Sequence, residues 1–121
     1  MDRTQALNHF WSSFGLTAYD EQTVPDDAVV PYITYETSVG DTDDQLALTA
    51  SLWYRSMSWA EITAKLEEIS SAIGRGGKTI PYDGGLMWIT RGTPFAQRVA
   101  EPGDDTMRRY YMNVTVNYLG E

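Results

Sequence analysis

Apolar side chains recur along two stretches of the chain at intervals of three and four residues, the period of an α-helix with one buried face. The first stretch, residues 4–14, ends before Gly15, and the second, residues 59–73, ends before Gly74. The first stripe consists of Leu7, Phe10, Trp11 and Phe14. The second consists of Trp59, Ile62, Leu66, Ile69 and Ile73. A serine followed three residues later by glutamate, Ser58 and Glu61, predicts a capping box at the start of the second helix.

A period of two, which is typical of strands, predicts a β-hairpin between the two helices. Its strands are residues 30–38 and 45–55, and its tip is the acidic turn 40–44. The side chains of the second strand that share one face are Leu46, Leu48, Ala50, Leu52 and Tyr54. The acidic segment before the hairpin, residues 16–29, contains Pro25 and predicts a surface loop.

The chain after the second helix predicts three more strands. Residues 79–82 and 85–91 flank an Asp-Gly pair that favours a two-residue hairpin turn. Because Pro81 has no amide hydrogen to donate, its strand is predicted at an edge of the sheet or at a bulge. After a loop predicted at 92–105, residues 107–119 predict the longest strand.

The predicted order is therefore α-β-β-α-β-β-β. Helices and strands in this arrangement indicate a single α+β domain over residues 1–121, in which both helices pack on one face of a mainly antiparallel sheet. The predicted core consists of Leu7, Phe10, Trp11, Leu48, Leu52, Ile62, Leu66, Ile69, Ile73, Val114 and Val116.

Charge is divided unevenly along the chain. The formal net charge is −8, and residues 1–50 hold nine acidic side chains against the single base Arg3. A nucleic-acid clamp needs a basic face, so this composition argues against specific DNA or RNA binding. The exception is a basic group formed by Arg75, Lys78, Arg91 and Arg98. The uneven charge fits either an ordinary solvated surface or two oppositely charged faces of a subunit that assembles.

The sequence offers little for catalysis. It has no cysteine, which excludes thiolate metal sites, and its single histidine, His9, argues against a histidine-built zinc site, which usually takes two or three; no metal or cofactor is expected. Residues 72–79 resemble the sequence of a phosphate-binding P-loop. A P-loop follows a strand and precedes a helix, whereas this segment is predicted to follow a helix and precede a strand. No acid–base pair or nucleophile lies in a recognisable frame. The expectation is a protein that is not an enzyme.

Aromatic and arginine residues outside the helix stripes predict a subunit interface, because such interfaces are enriched in both. The alternative is a core that is simply rich in tryptophan and tyrosine. The candidate interface residues are Trp53, Arg55, Arg75, Arg91, Phe95, Arg98, Arg108, Arg109, Asp41, Asp43 and Asp44. In this interpretation the hairpin at 79–91 and the loop that follows it meet the acidic hairpin or acidic loop of a neighbouring subunit.

Four segments carry a resemblance to a known family. They are PYITYE at 31–36, SLWYRSMSWAEI at 51–62, IPYDGGLMWITRGTPFAQR at 80–98 and RRYYMNVTVNYL at 108–119. Together they resemble the minor virion proteins of tailed phages and prophages of Gram-positive bacteria, and within that group the tail terminator proteins. The likeness spans nearly the whole chain in order, and its motifs are structural rather than catalytic.

The resemblance implies a subunit of a virion ring, most simply a hexamer of the chain with itself. Such a ring caps the completed tail tube, contacts the tail tube protein and the head connector, and stands at the head–tail junction after assembly in the cytoplasm of the bacterial host. An acidic lumen would let DNA pass without specific binding, and no membrane is involved. Two alternatives remain: a head-completion or connector protein of the neck, and a small cytoplasmic module that binds a ligand in an apolar pocket.

Overall fold

The computed structural model describes residues 1–40 and 44–120. Within this part of the chain two helices and a six-stranded, mostly antiparallel sheet form an α+β fold, so the predicted class is confirmed. The elements are α1 (Arg3–Trp11), a 3-10 turn (Ser12–Phe14), β1 (Thr17–Asp20), β2 (Tyr32–Tyr35), β3 (Gln45–Arg55), α2 (Ala60–Ile73), β4 (Lys78–Tyr82), β5 (Gly85–Val99) and β6 (Met107–Gly120).

The strands lie in the order β1-β2-β3-β6-β5-β4. β1 runs parallel to β2, and each of the other neighbouring pairs is antiparallel. β3 and β6 form the centre of the sheet, paired from Gln45 opposite Asn117 to Arg55 opposite Met107. β4 forms one edge, which confirms the edge position predicted from Pro81.

The core lies between one face of this sheet and the two helices. Alternate side chains of β6 are buried there, and the apolar stripes of α1 and α2 pack against them. The residues of the predicted core are all buried: Leu7, Phe10, Trp11, Leu48, Leu52, Ile62, Leu66, Ile69, Ile73, Val114 and Val116. Burying an apolar side chain of this size stabilises the fold by about 1.5–3 kcal/mol, so the stripes that predict the helices also hold them in place.

Two predicted loops contain strands. β1 lies inside the segment predicted as the loop 16–29, and its backbone is held by the neighbouring strand β2. β5 continues through the predicted loop 92–105 as far as Val99, with a bulge between Arg91 and Ala96, so that β5, at 15 residues, is longer than β6, at 14. A β-bulge absorbs extra residues without ending the strand pairing.

The predicted capping box of the second helix is wrong. α2 begins after Trp59, whose own backbone is already helical, and no side chain caps that residue. Ser58 Oγ instead accepts a hydrogen bond from the Ala60 amide at 3.0 Å. The side chain of Trp59 packs edge-to-face against Tyr110, with 5.5 Å between ring centroids, so tertiary packing of the indole sets the start of the helix.

Candidate functional site

The sheet face opposite the helices, called the open face below, carries a cluster of aromatic and arginine side chains. Its centre is Trp53 on β3, which lies directly opposite Arg109 on β6. The Arg109 guanidinium lies 4.6 Å from the centroid of the Trp53 ring and 5.5 Å from that of Tyr111. On the other side, Tyr32 of β2 lies 6.4 Å from Trp53 between ring centroids. These four residues are called the Trp53 cluster.

The Trp53 cluster covers polar groups of the sheet. Thr34 and Ser51 are buried although they belong to the open face. The Trp53 indole Nε1 donates to Thr34 Oγ1 at 2.9 Å, and Arg109 Nε donates to Ser51 Oγ at 3.0 Å. Each hydroxyl therefore keeps a partner, which avoids the cost of about 1–3 kcal/mol of a buried polar group without one. The cluster is thus a fixed part of the folded domain.

An ion pair links the Trp53 cluster to the segment between β5 and β6. Arg109 Nη1 lies 3.2 Å from Glu101 Oε1, and both side chains are about one-quarter exposed. Charges at this depth attract each other more strongly than exposed ones, because water screens them less. Arg109 is thereby held at its tip and at its Nε, with its planar group against the Trp53 ring.

A second cluster lies on the helix side of the sheet, where β6 begins. Here the Trp59 ring has two guanidinium neighbours, Arg98 at 4.4 Å and Arg108 at 5.3 Å from its centroid. They line a recess of about 750 Å³ together with loop residues that include Asp104 and Asp105. Cation–π contacts of this kind are worth about 0.5–1 kcal/mol when exposed and more when water is excluded. This cavity is called the Trp59 recess.

Tyr110 supports the Trp59 recess from the core side. Its hydroxyl accepts a hydrogen bond from Arg98 Nε at 3.0 Å and lies 3.1 Å from Thr63 Oγ1. Burial raises the pKa of the Tyr110 phenol, but the hydrogen bonds with Thr63 and Arg98 outweigh it and bring the pKa below its ordinary value. The guanidinium of Arg98 is thus positioned by a side chain that is itself buried.

A polar clip closes the outer side of the same region. Arg55 Nη1 lies 2.9 Å from Asp104 Oδ2 and 2.8 Å from Thr106 Oγ1, which ties the end of β3 to the β5–β6 connection. The Thr106 hydroxyl also donates to Asp104 Oδ1 at 2.6 Å. This bond, followed by that from Arg55, lowers the pKa of Asp104 from 3.8 to about 2.

Replacing Thr106 by valine is expected to raise the pKa of Asp104 from about 2 toward 3.8, because the hydroxyl that stabilises the carboxylate is lost. A carboxyl group whose pKa is lower in the folded than in the unfolded state stabilises the fold at pH values above its unfolded pKa. This stabilisation disappears as the pH falls through its folded pKa. The variant should therefore lose less stability than the parent between about pH 4 and pH 2. NMR titration of the Asp104 carboxyl carbon measures the shift, with the exposed Thr93→Val as control. An unchanged pKa would contradict the hydrogen bond.

A third group of predicted site residues lies along the bulge of β5. Arg75, Arg91 and Phe95 line a shallow recess of about 340 Å³. Arg91 Nη1 donates to Ser70 Oγ at 2.9 Å, which ties the bulge to the end of α2. Arg98 belongs instead to the Trp59 recess, so the basic group predicted from the sequence is divided between two places.

The structure thus distributes the predicted interface residues over separate surfaces. Arg108 and Arg109, neighbours in sequence, point to opposite faces of the sheet: the first lies at the Trp59 recess and the second in the Trp53 cluster. Asp44 is exposed at the start of the described segment that leads into β3. Asp41 and Asp43, and most of the predicted turn 40–44 with them, lie outside the described residues.

The candidate interface residues predicted from the sequence do not include five residues of these clusters: Trp59, Glu101, Asp104, Tyr110 and Tyr111. A signal for part of this set was present in the alternation of β6, which separates even-numbered from odd-numbered residues onto the two faces. The acidic partners come from a connection whose position depends on the tertiary fold. No local pattern marks them.

The open face ends in an apolar patch near the turn between β4 and β5. Leu86 is 42% exposed and Trp88 is 36% exposed. Leu86 pairs with Leu119 on β6 and with Pro81 on β4, so these side chains share the face. Trp88 donates its indole hydrogen to the Gly76 carbonyl oxygen at 2.9 Å, which fixes the ring beside the glycine-rich connection.

Within residues 1–40 and 44–120, no group of three or more metal-ligating side chains is close enough together to hold a metal ion. No helix in the same part of the chain is long and apolar enough to cross a membrane. The segment 72–79 joins the end of α2 to the beginning of β4, the reverse of the order in a P-loop. Comparison with known protein families, curated proteins and solved structures finds no match for this chain.

Proposed function

We propose that this chain is a structural subunit of a phage virion: a tail terminator that forms a ring of six copies, caps the tail tube and joins it to the head connector. The resemblance of the four sequence segments described above supports this function. In the proposed ring the subunit stands at the head–tail junction, DNA passes through the acidic lumen without specific binding, and the chain performs no catalysis.

The observation that carries the proposal is the open face of the sheet. Both helices pack on the opposite face, so the open face has side chains that remain partly exposed from Tyr32 across the Trp53 cluster to Trp88. Aromatic residues and arginine on a rigid sheet are the composition of a protein interface, whereas an isolated domain usually exposes polar side chains on its free sheet face. A neighbouring subunit or the tail tube would bury this face.

A ring suits the distribution of features over the subunit. Closed rings use heterologous contacts, in which one surface of each copy meets a different surface of the next. The apolar patch with Leu86 and Trp88 lies on the β4 side of the sheet, whereas the acidic segment 20–27 begins at the last residue of the opposite edge strand, β1. The two edges therefore differ in chemistry, and this difference favours head-to-tail contact over pairing of identical surfaces.

The ring and its role are tested by adding the purified chain to polymerising tail tube protein. We expect six-fold rings in negative-stain images, and tubes that stop lengthening when the chain is present. Size-exclusion chromatography with light scattering reports the number of copies in solution. A chain that stays monomeric or dimeric at all concentrations and leaves tube length unchanged would refute the proposal.

A charge on the open face is expected to prevent assembly. In Leu86→Glu a carboxylate replaces an exposed apolar side chain, and burying it without a partner should weaken ring formation or tube binding by about tenfold or more. The fold should stay intact, because Leu86 lies outside the core. Ala64→Glu, at an exposed position of α2 on the opposite side of the sheet, is the matched control. Equal assembly of the two variants would exclude this part of the open face from the interface.

One observation favours a second candidate function, a module that binds a small ligand. The Trp59 recess is large enough for a small molecule and combines an aromatic ring with two guanidinium groups. A binding module would remain monomeric or dimeric and would not affect tube length. The experiment with tail tube protein therefore distinguishes the two candidates, and binding to purified connector instead of tube would indicate a head-completion protein.

A further inference from the structure

The Trp59 recess holds hydrogen-bond donors that the described residues leave unused. Arg98 Nε donates to Tyr110, but its two terminal nitrogens have no acceptor within residues 1–40 and 44–120. Arg108 Nη2 donates to the Met57 carbonyl oxygen at 3.0 Å, whereas its Nε is buried without a partner in the same residues. A buried donor without an acceptor is unfavourable. The exposed Arg98 and the partly buried Arg108 therefore both keep donors for a ligand that supplies acceptor oxygens.

The acidic side chains that line the recess do not fill this role. Glu101 is paired with Arg109, and Asp104 is paired with Arg55. Asp105 is exposed and forms no ion pair within the described part of the chain. Two guanidinium groups therefore face one carboxylate that is not already paired, which leaves the recess cationic although the chain as a whole carries a net charge of −8.

We propose that the Trp59 recess binds carboxylate side chains from the acidic loop, residues 21–27, of a second copy of this chain. Glu21, Asp26 and Asp27 are exposed in this loop and form no ion pairs among the described residues. Guanidinium and carboxylate groups match in geometry and form two parallel hydrogen bonds, and the Arg98 guanidinium lies 4.4 Å from the centroid of the Trp59 ring. This inference rests on the proposed ring and names one of its contacts.

The positions of the loop and the recess suit a contact between copies. The acidic loop connects β1 to β2, on one side of β3 in the strand order, whereas the recess is formed by β5, β6 and the start of α2 on the other side. One copy can therefore offer its loop to one neighbour while its recess receives the loop of another. Two loops or two recesses would repel each other, so the contact is directional.

Two chains with reversed charges test the contact. The first carries Arg98→Glu and Arg108→Glu, and the second carries Asp26→Lys and Asp27→Lys. Each alone should self-associate at least about tenfold more weakly than the parent, because like charges then meet at every contact. An equimolar mixture should regain association, because in an alternating ring every recess meets a loop of opposite charge. Sedimentation velocity compares the two reversed chains and their mixture with the parent.

Circular dichroism confirms that each variant is folded, and Arg98→Gln, at an exposed position, provides a milder variant of the recess. Lys78→Glu, at an exposed position that is not among the predicted interface residues, is the control for a charge reversal elsewhere, and it should associate as the parent does. If the reversed chains assemble like the parent, or if folded chains fail to regain association when mixed, the contact is refuted. If the contact is refuted but the parent chain forms rings, the proposed function is still supported.

If the parent chain does not self-associate, calorimetry measures whether it binds a synthetic peptide of residues 18–30. Binding that is at least about tenfold weaker in the Arg98→Gln, Arg108→Gln chain supports the recess, while the absence of rings refutes the ring function. No peptide binding by the parent refutes the recess contact. Binding of citrate or inorganic phosphate without peptide binding also refutes it, and assigns the recess to a small anion.

Discussion

Replacing Trp11 by alanine is expected to lower the free energy of unfolding by about 3–5 kcal/mol. Trp11 is 1% exposed and is the largest of the fully buried side chains. Its ring packs edge-to-face on Phe10, with 4.8 Å between centroids, in the same cluster that joins α1 to the sheet. The short helix cannot refill so large a cavity. Since a domain of this size is stable by about 5–15 kcal/mol, denaturant unfolding followed by circular dichroism will measure a large change.

His9→Ala is the matched control for this experiment. His9 lies on the same helix and is exposed, so its removal should change stability by no more than about 0.5 kcal/mol. If Trp11→Ala cost less than about 1 kcal/mol, α1 would not form part of the common core. The comparison therefore separates the loss of core packing from a general effect on the helix.

The parts of the fold that the sequence predicts are those in which burial is periodic. Both helix stripes and the alternation of β3 and β6 arise because one face of each element meets the core, and the core residues Ile62 and Val114 follow directly from this pattern. The two-residue turn before β5 and the edge position of Pro81 follow from the chemistry of single residues. These features depend on local sequence, which is why they were predictable.

β1 and the second half of β5, after Gly92, depend on contacts with residues that are distant in sequence. β1 has four residues and ends in Asp20, so it shows no clear alternation, and its hydrogen bonds come from a strand that begins at Tyr32. In β5, Gly92 and Pro94 indicate a break. Pairing with β6 nevertheless continues beyond them, and a Cβ atom at Gly92 would lie 2.9 Å from the Asn113 carbonyl oxygen, so glycine is needed because the strands approach closely.

The sequence names some residues of the two clusters, such as Trp53, Arg98 and Arg109, but not their arrangement. In the structure, arginine side chains lie against the rings of Trp53 and Trp59. Their division between two faces follows from the alternation of the strand, whereas the pairing of Arg109 with Glu101 requires the path of the β5–β6 connection. In the sequence, Trp59 is only a member of the apolar stripe of the second helix. Its place at the recess could not be predicted, because it depends on contact with Arg98 of β5.

Replacing Gly77 by alanine is expected to lower the free energy of unfolding by at least about 2 kcal/mol. Gly77 has φ +85°, in the left-handed region that side chains other than glycine rarely adopt. A Cβ atom there would also lie 2.5 Å from the Ile89 carbonyl oxygen and 2.5 Å from Trp88 Nε1. Alanine must therefore either strain its backbone or displace β5 and the indole that bonds to Gly76.

The neighbouring Gly76 provides the control. A Cβ atom at Gly76 would meet no other atom within 4 Å, so Gly76→Ala should be neutral or stabilising by up to about 1 kcal/mol, because alanine restricts the unfolded chain. Urea unfolding of the two variants compares the same substitution in adjacent positions. Because Trp88 belongs to the open face, which the proposed ring would bury, Gly77→Ala should also weaken ring formation at temperatures where the chain stays folded. Equal stabilities of the two variants would show that the connection between α2 and β4 does not take this path.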